Sequence, residues 1–143
     1  MRTYAVSGAS TASLPGFRPR MAEVLLACTE GRLASVDVQW KREASCCVVA
    51  CGENYPQSSS KGEIITIDAA KILAHTFVFH AGTKVDAGKL STNGGRILCV
   101  TSIAPAISDA IDGAYEGLAH VSFKDMAFRK DIARRAGAAC LSR

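Results

Sequence analysis

Three strands joined by tight reversals are what residues 76–102 most readily form, and the rest of the chain must be built around them. Thr76-Phe77-Val78-Phe79-His80 is β-branched and aromatic and ends in the small segment Ala81-Gly82-Thr83. Lys84-Val85-Asp86-Ala87-Gly88 reverses the chain through Asp and Gly. Lys89-Leu90-Ser91-Thr92 then runs into Asn93-Gly94-Gly95-Arg96, and Ile97-Leu98-Cys99-Val100-Thr101-Ser102 is a third, apolar strand. The adjacent glycines permit positive φ and let a ligand or another backbone come close. Arg96 beside them carries a planar, permanently charged fork suited to carboxylate or phosphate. A tight turn with a surface arginine is the plainer alternative.

The chain has 143 residues, enough for one domain that buries roughly 70% of its unfolded surface without help from disulfides. Its apolar share of 48% and charged share of 21% are those of a soluble globular protein. No apolar run approaches the roughly 18 residues of a membrane span, so no membrane partner is expected. A net charge of +4 favours anionic ligands. With few aromatics and no RNA-binding strand motif, nucleic acid is not an expected partner. The six cysteines, Cys28, Cys46, Cys47, Cys51, Cys99 and Cys140, contain no Cys-x-x-Cys pair, and no histidine pair has zinc-finger spacing. They read as buried free thiols in a reducing compartment, with Cys46 and Cys47 on opposite faces of a strand.

Residues 1–20 are rich in Ser, Thr, Ala and Arg without an acidic residue, the composition of a flexible lead or an organellar transit segment. Met21 to Arg32 places Met21, Val24, Leu25 and Cys28 on one helical face, with Gly31 just past the helix end. That stripe needs a cover, from the domain body or from a second chain. Val36, Val38 and Trp40 alternate with polar residues as a one-sided strand, and Ala44 to Cys51 reads as a central buried strand. Gly52 to Gly62 is a polar loop, Glu63 to Ile67 a short strand, and Asp68 to Ala74 a connector. Beyond Pro105, Ile107, Ile111, Tyr115, Leu118 and Val121 form the core face of a helix that Gly113 and Gly117 weaken. The sum is an α+β domain of antiparallel strands with a leading helix and one long later helix.

Several of these residues also carry a family resemblance. His80-Ala81-Gly82-Thr83, Gly88-Lys89-Leu90 and Thr92-Asn93-Gly94-Gly95-Arg96 together resemble the C-terminal domain of phosphoribosylamine–glycine ligase, of the ATP-grasp superfamily. Phe128-Arg129-Lys130-Asp131-Ile132 is similar to that family's closing Tyr-Arg-Lys-Asp-Ile, and the resemblance spans about Met21 to Ala136. It implies residues 21–143 as one domain, a small antiparallel barrel-sandwich of the rudimentary hybrid-motif type. The family's Gly-Tyr-Pro-Gly loop is here Asn54-Tyr55-Pro56-Gln57, followed by Lys61-Gly62. Asn tolerates a left-handed backbone and Gln does so poorly. The family's acidic pair ahead of the domain has no counterpart in Gly16-Phe17-Arg18-Pro19-Arg20, so no metal-ligand role carries over.

The implied reaction joins glycine to 5-phosphoribosylamine, with ATP forming a glycyl phosphate that the amine attacks, in purine synthesis. ATP and Mg (or Mn) would be held mainly by parts absent from this sequence, since it shows no phosphate loop and no paired carboxylates at metal spacing. On this reading the chain forms one wall of a cytoplasmic ligase's active site, its partner is the ATP-grasp core in cis or in trans, and it turns over nothing alone. Gly94, Gly95 and Arg96 would face the substrate pocket with Gly82, Thr83, Asn93 and Lys61. His80 would either hydrogen-bond substrate or anchor its own turn. The alternative is a non-catalytic binding or scaffolding module derived from that domain, which docks or self-associates through the first helix. A carrier domain with Lys84 or Lys89 modified is a third reading, although a Met-Lys-Met-like tip is missing.

Overall fold

A computed structural model describes residues 17–18, 21–37, 39–40 and 42–133. Of the lead only β1 (Phe17–Arg18) is described, paired antiparallel with β2 (Gln39–Trp40). The rest of residues 1–20, Val38, Arg134, Arg135 and Cys140 lie outside the described residues. Helix α1 (Met21–Thr29) ends where Arg32 N–H reaches Ala27 O and Gly31 N–H reaches Cys28 O, with Gly31 at φ +68°. That paired closure needs a left-handed residue just past the helix, which glycine supplies without a Cβ penalty.

The expected stripe of α1 is not the buried one. Ala27 is fully buried, Val24 is half-buried, and Leu25 and Cys28 are exposed along with Leu26. Leu33–Ser35 forms a 3₁₀ turn, so the alternating strand expected from Val36 shrinks to β2.

β3 (Ala44–Gly52) and β9 (Arg96–Ala104) form the centre of a four-stranded antiparallel sheet. Its order is β11 (Met126–Ala127), β3, β9, β6 (Thr76–His80). Expected as three strands, residues 76–102 form four, because the chain leaves this sheet at Ala81-Gly82. It enters a second sheet of β4 (Ser60–Ile64), β8 (Lys89–Gly94) and β7 (Thr83–Asp86). β7 and β8 meet at the two-residue turn Ala87-Gly88, both at positive φ, as a twist-matched hairpin requires. The described residues thus form the expected small α+β domain of antiparallel sheets and two α-helices, without a closed barrel among them. A further pair joins β5 (Thr66–Ile67) to β10 (Val121–Ser122).

Helix α2 (Ile107–Ala119) lies across β3, β9 and β6. Its buried face comprises Ile107, Ala110, Gly113, Ala114, Gly117 and Leu118, whereas Ile111 and Tyr115 are half-buried and Val121 belongs to β10. The expected stripe is thus rotated toward the small residues. Their role is contact: a Cβ on Gly113 would stand 2.4 Å from Ser102 Oγ, and one on Gly117 2.7 Å from Thr76 Cγ2. Beneath the helix Thr76 Oγ1 donates to Ser102 Oγ at 3.1 Å, satisfying both hydroxyls in the dry interface. Val48, Ala50, Ile97, Leu98, Val100, Ala110 and Leu118 form the core there.

Candidate functional site: the arginine cleft

The register between β3 and β9 slips once. Ala50 pairs with Leu98, but Cys51 pairs with Arg96, so Ile97 is an extra residue on β9. Two consecutive side chains, Ile97 and Leu98, then enter the core, and Arg96 is turned onto the opposite face beside Val49 and Cys51. Bulges re-aim side chains in this manner and concentrate near binding sites. Without the register slip the alternation of the strand would put Ile97 there in place of Arg96.

Arg96 is exposed and borders two cavities that share it with Val49 and Tyr55. The first, of about 440 Å³, is walled by Pro56, Ser58 and Ser59 of the β3–β4 loop and by Ala81, Gly95 and Cys99. The second, of about 430 Å³, is walled by Cys51, Ala127, Phe128 and Ile132, with Glu53 and Arg129 at its lip. Tyr55 divides them. A Cβ on Gly95 would lie 2.5 Å from Tyr55 Cδ2, so the ring occupies the place that any other residue would fill.

The doubled glycine therefore serves close approach and not backbone handedness: neither Gly94 nor Gly95 has positive φ. Gly94 packs against Gly82, whose own Cβ would fall 2.6 Å from Arg96 O. Gly82 N–H donates to Arg96 O and Asn93 N–H to Gly82 O at 2.7 Å, so three of the expected site residues form the crossing between the two sheets. Asn54 and Gln57 also keep ordinary φ; the left-handed residue of that region is Gly62.

The eight residues singled out in the sequence do not converge on one cleft. Only Gly95 and Arg96 line the arginine cleft. His80 and Thr83 share a hydrogen bond of 3.3 Å between Nδ1 and Oγ1, a contact that fixes the turn between β6 and β7. Lys61 and Asn93 are cross-strand neighbours on the second sheet, both exposed. Lys61 borders a separate cavity of about 310 Å³ with Glu53, Glu63 and Asp125. Thr92, buried behind them, accepts from Ser60 Oγ and Glu63 N–H, each at 3.0 Å. Tyr55, Val49 and Phe128 were not singled out. Tyr55 carried a signal as part of the retained Tyr55-Pro56 pair, and Phe128 as the start of the closing motif, whereas Val49 carried none.

Of the thiols, Cys46, Cys47 and Cys99 are buried, Cys51 is half-buried and Cys28 is exposed, which corrects the expectation for Cys28. Burial, reinforced by Cys47, pushes Cys46 up to about 11. A hydrogen bond with Cys47, then burial, pushes Cys99 well above the usual thiol range. Such thiols are poor nucleophiles at neutral pH. Among the described residues no three His, Cys, Asp or Glu side chains are grouped to hold a metal ion. Arg129, from the closing motif, forks onto Asp131 with bonds of 2.9 and 2.6 Å.

Fold and geometry together define an α+β domain in which Arg96 borders two adjoining cavities. The chain belongs to the family described as Phosphoribosylglycinamide synthetase, C domain, whose model matches residues 45–135. It is 43% identical over 125 residues to the bifunctional purine biosynthetic protein ADE1 of Schizosaccharomyces pombe, covering 87% of this chain and 16% of that protein. It is 39% identical over 126 residues to the phosphoribosylamine–glycine ligase of Synechocystis, covering 87% of this chain and 30% of that enzyme. The crystal structure of phosphoribosylamine–glycine ligase from Thermotoga maritima superimposes with a TM-score of 0.58 at 25% identity, over 78% of this chain and 28% of that one. The chain thus spans less than a third of each of these relatives.

Proposed function

We propose that this chain is the substrate-facing C-terminal domain of a phosphoribosylamine–glycine ligase acting in purine synthesis. The observation that carries this reading is Arg96, which the register slip turns out of the core and into the cleft of a domain whose family is that of the synthetase. A guanidinium beside serine hydroxyls and a glycine backbone suits a phosphate or carboxylate of the substrates. ATP and its divalent cation would be held by the ATP-grasp core, in cis or in trans, and the assembled enzyme would be cytoplasmic. Tyr55 and Pro56 would limit the cleft, and Arg96 would hold and orient the anionic group. Lys61, His80, Thr83, Asn93 and Gly94 would support the adjoining wall.

The test has two arms. Calorimetric titration of the 143-residue chain with inorganic pyrophosphate should show binding that Arg96→Gln weakens at least tenfold. A chimera in which this chain replaces the matching part of the Synechocystis ligase should make product from ATP, glycine and 5-phosphoribosylamine, whereas the chain alone should make none. An active chimera indifferent to Arg96→Gln would remove Arg96 from the mechanism, and product from the chain alone would overturn the division of labour.

A second reading, a non-catalytic docking module, is favoured by one observation: Leu25 and Leu26 of α1 are 56% and 52% exposed. Light scattering would support it if the free chain dimerised and Leu25→Gln with Leu26→Gln abolished the dimer.

A further inference from the structure

The proposed function uses the polar side of Tyr55 and leaves the other side unexplained. There, Val49, Cys51, Ala127, Phe128 and Ile132 wall a cavity of about 430 Å³. That volume falls in the range of small-molecule sites, about 300–1,000 Å³, which are mainly apolar with a few placed polar groups. We propose that this cavity is a second subsite, taking the flat apolar part of an anionic ligand whose charge meets Arg96. The inference rests on the anion-binding reading of Arg96.

Three observations point to a ligand. The walls are held open independently of any occupant. Tyr115 on α2 donates its hydroxyl to Arg129 O at 2.8 Å and accepts Ile132 N–H at 3.1 Å, and its ring lies 6.3 Å from that of Phe128. On the opposite side Cys51 Sγ donates to Ala127 O at 3.3 Å, tying β11 to β3. Second, the partition is an aromatic ring packed against Gly95, which with Phe128 offers flat surfaces to a planar group. Third, the lining sets the Arg96 guanidinium, a fork of five donors, beside apolar walls, so a ligand charged at one end and flat and apolar at the other matches both. The ligand class is an aryl or heteroaryl phosphate, sulfonate or carboxylate.

The probe is 8-anilinonaphthalene-1-sulfonate, an aryl sulfonate that brightens in apolar surroundings, titrated into the 143-residue chain alongside inorganic pyrophosphate. One-to-one saturable dye binding is expected, weakened at least tenfold by Arg96→Gln. Ala127→Leu, which fills the cavity, should weaken the dye at least tenfold and leave pyrophosphate within twofold. Phe128→Leu, which removes one flat wall, should weaken the dye severalfold and serves if Ala127→Leu loses its native circular dichroism. The double change Leu25→Gln with Leu26→Gln should leave the dye unaffected, since these exposed leucines of α1 do not line the cavity. Absent dye binding, or binding indifferent to Ala127→Leu and Phe128→Leu while pyrophosphate still needs Arg96, overturns the subsite and spares the anion reading. Dye binding that needs the cavity but not Arg96, with pyrophosphate also indifferent to Arg96→Gln, overturns the anion reading and the proposal with it.

Discussion

On one face of the four-stranded sheet, Gly113 and Gly117 bring α2 down until Ser102, Thr76 and Val100 touch the helix backbone. On the other face, Gly95 admits the ring of Tyr55, and two cavities stay open on either side of it. Both faces belong to the same strands, and both depend on a missing Cβ. Toward α2 the missing atoms remove space; toward the loop the missing atom shapes it. Glycine beside a sheet therefore says that something comes close, and the partner, helix or lone ring, decides whether the result is core or cleft.

The comparison is broken most readily from the helix side. Leu118 is 1% exposed, and Leu118→Ala should cost about 3 kcal/mol in urea denaturation. A cost below about 1 kcal/mol would mean that the helix face is not a continuous core. Gly117→Val should cost about 2 kcal/mol by overpacking against Thr76 and Val100. The buried thiols add a pH signature to the sheet. Cys46 ionises near 9 when unfolded and at about 11 when folded. Its contribution is present below pH 9 and is lost as pH rises toward 11, a fall on the order of 1–2 kcal/mol. Cys46→Ala should flatten that part of the stability–pH curve.

The cleft side should answer differently. Gly95→Ala pushes a methyl into a tyrosine ring that is 42% exposed and able to swing outward. It should cost under about 1 kcal/mol of stability while weakening pyrophosphate severalfold. Arg96→Gln, at an exposed position, should change stability by less than about 0.5 kcal/mol and act on binding alone. If either cleft variant proved as destabilising as Leu118→Ala, the distinction between the faces would collapse.

What the sequence made legible follows from what pattern encodes. Ala44–Cys51 is a long apolar run, and it forms the central strand. The motif from His80 to Arg96 identified the family, because several short elements had to match in order. The polar segment Ala81-Gly82-Thr83 hid a change of sheet, since a strand that breaks at a glycine contact keeps its local preferences on either side. α2 was read by its large residues, although its buried face is set by Gly113, Ala114 and Gly117. Tyr55 and Phe128 were missed because each lines the cleft only through partners 40 and 79 residues away, Gly95 and Val49. His80, conspicuous as a titratable group, spends its ring on Thr83.

The extra residue on β9 has a consequence for how this site can change. Which side chain faces the cavity is decided by a count along the strand, so a deletion of Gly95 that straightened β9 would be felt as a swap of faces. Isoleucine would look into the cavity and the guanidinium would be driven toward the helix, with composition almost untouched. Substitutions can tune this cleft by degrees, whereas a shift in length would abolish it at a single stroke.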